Sequence, residues 1–73
     1  MKDRAALKRL ETVYDMLLPM MDERMRRHWA AAEAQAYGWG GIQAVSTATG
    51  MSATTIRRGL GELSERQANP SRA

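Results

Sequence analysis

The side chains best suited to chemistry gather in one short stretch, residues 52–61. Ser52, Thr54 and Thr55 offer hydroxyls, Arg57 and Arg58 offer adjacent guanidiniums, and Ala53 and Gly61 leave backbone open to close approach. Such groups hold phosphate and read base edges. Other chemistry has few residues to work with. The chain has no cysteine, which excludes disulfides and thiolate metal sites. His28 is the single histidine and reads as a packing or surface residue, so no structural zinc site is expected. The eight acids are spread along the chain, with only Asp22 and Glu23 adjacent, and predict no magnesium site. Gly38-Trp39-Gly40-Gly41 lacks the Lys-Ser/Thr of a phosphate loop and follows no strand. It reads as a helix stop and hinge, with Trp39 packed over the core edge or, as the alternative, touching a nucleic-acid backbone. The expectation is a chain with no catalytic residues, no metal, no cofactor and no small-molecule substrate.

The elements that must position residues 52–61 are short. The chain has 73 residues, with 44% hydrophobic and 26% charged, which suits one small folded domain. A chain of this size buries only about 60% of its unfolded surface, so its core is thin and leaves no room for a deep enzyme cleft. Leu7, Leu10, Tyr14 and Leu17 recur at three and four, predicting an amphipathic helix over about residues 2–18 that Pro19 ends. Asp22 is suited to cap a second helix with Met25, Trp29, Ala32 and Ala36 as its apolar stripe, stopped by Gly38. A short third helix is expected over about residues 42–49, closed by Gly50. Ser52 then caps a fourth helix with Ile56, Leu60 and Leu63 inward. The polar tail, residues 67–73, reads as a linker. The predicted fold class is all-α: a small domain of about four helices ending in a helix-turn-helix. Its parts are an N-terminal helix (1–20), a DNA-binding unit (21–66, with the helix-turn-helix about 42–63) and the tail.

The helix-turn-helix expectation rests on filled slots. Two helices meeting at a tight turn need an apolar residue followed by a small one at the crossing, here Val45 and Ser46. The turn needs a residue tolerant of positive φ, here Gly50, and an apolar plug, here Met51. The second helix needs a cap, Ser52, and a buried aliphatic residue four on, Ile56. With Ile56 inward and about 100° per residue, Thr54, Arg57, Arg58 and Gly61 fall on the outer side, as do Glu62 and Glu65. The basic and hydroxyl residues occupy the N-terminal half, the half a recognition helix presents to the major groove. Arg57 or Arg58 suits guanine, Thr54 suits a thymine methyl or a phosphate, and Ser52, Ala53 and Thr55 suit phosphate. Gly59, near the core side, suits a close helix crossing.

Charge location agrees. Net charge is +3, and the first 22 residues balance four basic against four acidic. From Arg24 to Arg58 there are five arginines and one acid, Glu33. Arg24, Arg26 and Arg27 are available to grip phosphate, or, for Arg24 and Arg27, to pair with Glu23 or Glu11. Double-stranded DNA is the expected partner. A homodimer through Leu7, Leu10, Tyr14 and Leu17 is a second expectation, since their spacing is that of a short coiled-coil seam; these residues equally suit packing on the other helices. The longest apolar run, Met16 to Met21, is too short to target or span a membrane, so a cytoplasmic protein is expected. Two further readings stand beside DNA binding by a module of a larger system. One is a helix-turn-helix transcription regulator, and the other a helical interaction or dimerisation domain without specific DNA binding.

The residues also carry a resemblance. Asp22-Glu23-Arg24, then Arg26-Arg27-x-Trp29-Ala30-Ala31-x-Glu33-Ala34, then Gly38-Trp39-Gly40-Gly41-Ile42, then Ala48-Thr49-Gly50-x-Ser52-x-Thr54-Thr55-Ile56-Arg57-Arg58-Gly59-x-x-Glu62-Leu63 form one pattern over about residues 15–65. It resembles the N-terminal region of a bacterial insertion-sequence transposase family, the Rhodopirellula-type DDE transposases or ISAzo group. The resemblance implies a bacterial module, nucleoid-associated when bound, that recognises the terminal inverted repeats of a mobile element. The family's catalytic part, a ribonuclease-H-like domain with three metal-binding acids, would follow this segment. These 73 residues do not contain it. The expectation is an isolated or truncated DNA-binding domain without strand-transfer activity.

Overall fold

Asp22 and Ser52 set two of the four helix starts in the computed structural model, which describes residues 4–68. The helices are α1 (Arg4–Leu17), α2 (Glu23–Tyr37), α3 (Gly41–Thr49) and α4 (Ala53–Ala68), with a 3-10 turn at Leu18–Met20. Among the described residues there is no strand, so the chain is all-α. Pro19 lies in the 3-10 turn, which Met21 N–H closes onto Leu18 O at 3.2 Å. Asp22 Oδ1 accepts the Met25 N–H at 2.8 Å, satisfying one of the orphan donors of α2. Gly38 ends α2 at φ 91°. Gly50, at φ 81°, ends α3 and donates its N–H to Ser46 O at 2.9 Å.

The core is small and built on close approach. Leu10, Ala30, Ala34, Ala44, Val45 and Ile56 form it, with Val45 and Ile56 fully buried. Leu7, Trp29, Ile42, Ala48, Met51 and Leu60 pack around it. Glycine lets the helices meet. A Cβ on Gly41 would collide with the Ala34 backbone, and one on Gly59 would lie 2.6 Å from Arg27 O and 3.0 Å from Ala31 Cβ. The expected close crossing at Gly59 is therefore present, between α2 and α4.

Those crossings correct the expected face of α2. Its buried residues are Ala30, Ala31 and Ala34, while Met25, Ala32 and Ala36 are exposed and Trp29 is half-buried. An alanine-rich helix offers methyl groups on every side, so apolar periodicity does not single out one face. The glycines decide it, because Ala34 presses on Gly41, and Arg27 and Ala31 press on Gly59.

On α1, Leu10 and Tyr14 are buried, and Leu7 and Leu17 are half-buried. α1 packs mainly on α3, and Tyr14 stacks on Trp29 of α2 with ring centroids 5.5 Å apart. Leu10 and Tyr14 are thus spent inside the chain, which removes the central pair of the expected dimer seam. At the other end, α4 includes Gln67 and Ala68, which were expected in the linker. No proline or glycine interrupts the helix there, and Arg66 suits its negative C-terminal end. The rest of the expected linker, 69–73, lies outside the described residues, as do residues 1–3.

Candidate nucleic-acid interface

The turn between α3 and α4 is closed by its own polar groups. Ser46 Oγ donates to Met51 O at 2.7 Å, and Thr49 Oγ1 donates to Val45 O at 2.8 Å. Met51 N–H donates to Thr49 Oγ1 at 3.1 Å. Gly50 supplies the left-handed residue, and Met51 is half-buried against the core. Ser46 was expected only as a small residue; its hydroxyl also pins the far side of the turn. Ser52 Oγ accepts the Thr55 N–H at 3.1 Å and so caps α4. Ile56 anchors the first turns of α4, and Leu60 and Leu63 are half-buried beyond it.

The outer face of α4 carries the expected side chains. Ser52, Thr54, Arg57, Arg58 and Gly61 are exposed, and Ala53 and Thr55 are half-buried. A Cβ on Gly61 would meet nothing within 4 Å. Arg58 is 69% exposed, with its Nε 3.4 Å from Glu62 Oε2.

Glu62 departs from expectation. It is half-buried between α2 and α4 rather than on the outer face. Arg27 Nε donates to Oε1 at 2.8 Å and Arg27 Nη2 to Oε2 at 3.2 Å, a two-pronged pair. The His28 Nε2 hydrogen bond to Oε1 is also 2.8 Å. These bonds, Arg27 first and His28 second, hold the Glu62 carboxyl down at about 2 from an ordinary 4.5. The bond to Glu62 also pushes the Arg27 guanidinium above its usual value. The Arg27 side chain is only 13% exposed. It is therefore not an available phosphate contact, and its acid is neither Glu23 nor Glu11. The signal lay in Gly59: Glu62 is three residues on, along the same stripe of α4 that meets α2.

The remaining arginines of α2 differ. Arg24 is exposed, whereas Arg26 is half-buried and its Nε is shut off from solvent with no hydrogen-bond partner among the described residues. Trp39 is 98% exposed, against the expected packing over the core edge. Gly38 and Gly40 both turn the chain at positive φ while Gly41 presses on Ala34, which carries the indole away from the body. Among the described residues no His, Asp and Glu side chains group as metal ligands, and no helix is long and apolar enough to cross a membrane. No family model, curated protein or solved structure matches this chain.

Proposed function

We propose that this chain binds duplex DNA sequence-specifically, with the N-terminal half of α4 in the major groove. The observation that carries the reading is the closed α3–Gly50–α4 turn joined to an outward face of Thr54, Arg57, Arg58 and Gly61. A rigid turn fixes the angle at which the recognition helix meets the groove. In this reading Arg57 pairs with a guanine through two N–H groups, and Thr54 touches a thymine methyl or a phosphate. Ser52, Ala53 and Thr55 approach the backbone at the helix start, where N–H groups and the helix dipole favour phosphate. Arg24 and Arg26 contribute further phosphate contacts from α2. Of the two acids of the helix, Glu62 is paired with Arg27 and hydrogen-bonded by His28, and Glu65 lies in the C-terminal half, away from the end that enters the groove.

The resemblance to the transposase region extends the proposal. The target would be the terminal inverted repeat of a mobile element, and the setting a bacterial nucleoid. The operator of a transcription regulator would be read with the same chemistry. Selection of binding sites from a random duplex pool tests the reading. A recovered consensus that Arg57→Ala degrades at one or two base pairs supports it; a pool that stays random overturns it.

A further inference from the structure

We propose that the groove between α2 and the start of α4 seats one backbone phosphate of the bound duplex, held by Arg26, Thr55 and Arg58 and opposed by Glu23. The seat rests on the DNA-binding reading and gives it a second point of contact, on the flank of α4 that faces α2. The groove has a volume of about 290 Å³ and is lined by Glu23, Arg26, Arg27, Met51, Thr55 and Arg58. A water occupies about 30 Å³ of liquid, so this space admits a phosphate group with part of its hydration.

The donors are of the right kind. Arg26 lines the groove, and because its Nε is shut off from solvent, a phosphate meets the rest of its guanidinium rather than that N–H. Arg58 touches Glu62 through Nε at 3.4 Å, and its side chain is 69% exposed. The hydroxyl of Thr55 is primed by the cap. Thr55 N–H donates to Ser52 Oγ, and Ser52 Oγ donates to Thr55 Oγ1 at 2.9 Å. With that oxygen already accepting, its own proton is left to donate to a phosphate oxygen. Arg27 lines the same groove but is paired with Glu62, so it contributes position rather than a free charge. Glu23 is the one acid in the lining, and it sets the sign of the control variant. The groove joins the flank of α4 that carries Thr55 and Arg58 to the first turns of α2. A phosphate there would fix the register of the recognition helix along the duplex without reading sequence.

The test is binding of the full chain to its selected duplex and to a scrambled duplex over a range of salt concentrations. A single phosphate contact contributes about 0.9 to the slope of log K against log salt. Arg26→Gln should lower that slope by about one and weaken both duplexes equally, leaving their ratio unchanged. Glu23→Gln, at an exposed position, should tighten both equally. Thermal melting of each variant checks folding, and should Arg26→Gln not fold, the Glu23→Gln result decides. If the parent binds and these variants match it in slope and affinity, the seat is wrong while the DNA-binding reading stands. If the parent binds neither duplex, that reading falls and the seat with it.

Discussion

Arg57 and Arg58 are neighbours in sequence but differ in what surrounds them. Arg58 leans toward Glu62, whereas Arg57 lies on the opposite flank of α4, away from α2. Arg57→Ala should cost about 1–3 kcal/mol on the preferred duplex and relax the preference at its base pair. Arg58→Ala should instead weaken all duplexes alike and lower the salt slope. Quantitative competition between duplexes separates the two outcomes. Glu62 allows a prediction about pH. Its folded carboxyl titrates at about 2, below the 4.5 of an ordinary Glu. A depressed acid contributes stability that is present above its unfolded value and is lost as pH falls toward its folded one. Melting temperature should therefore drop from about pH 4.5 to pH 2 in the parent, and less so in Glu62→Gln. Equal acid sensitivity in the two would contradict this role for Glu62. Arg57, Thr54 and Gly61 were legible from the phase of α4 alone. Glu62 was not, because a wheel set by Ile56 ignores the second contact line that Gly59 creates with α2.

Among the helices, the glycines of α4 divide in a way that can be measured. Gly59→Ala gains helix propensity of about 1 kcal/mol but forces a methyl to 2.6 Å from Arg27 O. Overpacking of this kind costs about 1–3 kcal/mol, and backbone cannot move aside as a flexible side chain does, so the net effect should be destabilising. Gly61→Ala meets nothing and should stabilise by about 0.5–1 kcal/mol in denaturant unfolding. The same substitution should weaken DNA binding if α4 approaches the duplex at this point. Four helix ends were readable because each has a chemical cause, Asp22 and Ser52 as caps and Gly38 and Gly50 as stops, whereas the end of α4, with no such residue, was placed too early. The face of α2 was not readable, since Ala30, Ala31, Ala32, Ala34 and Ala36 differ in position and not in kind. Trp39 shows the same limit: an indole usually seeks a core, but positive φ at Gly38 and Gly40 takes it outward.

The molecule as a whole rests on a few large buried groups. Val45 and Ile56 are its largest fully buried side chains, one from each half of the turn. Ile56→Ala should cost about 2–5 kcal/mol by cavity formation, a large part of the roughly 5–15 kcal/mol that holds a typical domain together. Ile56→Asp should abolish cooperative melting, because nothing near the site pairs with a buried carboxylate. The all-α class and the helix order follow from local signals that agree with one another. The tertiary pairing of α2 with α4 depends on Gly59 and one ion pair far apart in sequence, which periodicity does not report.

The claim that α4 reads DNA is tested most directly by competition between the selected duplex and its scrambled counterpart, measured across salt concentrations for the parent and Arg57→Ala. The account predicts a steep salt slope on both duplexes, tighter binding of the selected one by the parent, and loss of that advantage in Arg57→Ala with the melt unchanged. Equal binding of the two duplexes by the parent, or an advantage that Arg57→Ala retains in full, would contradict it.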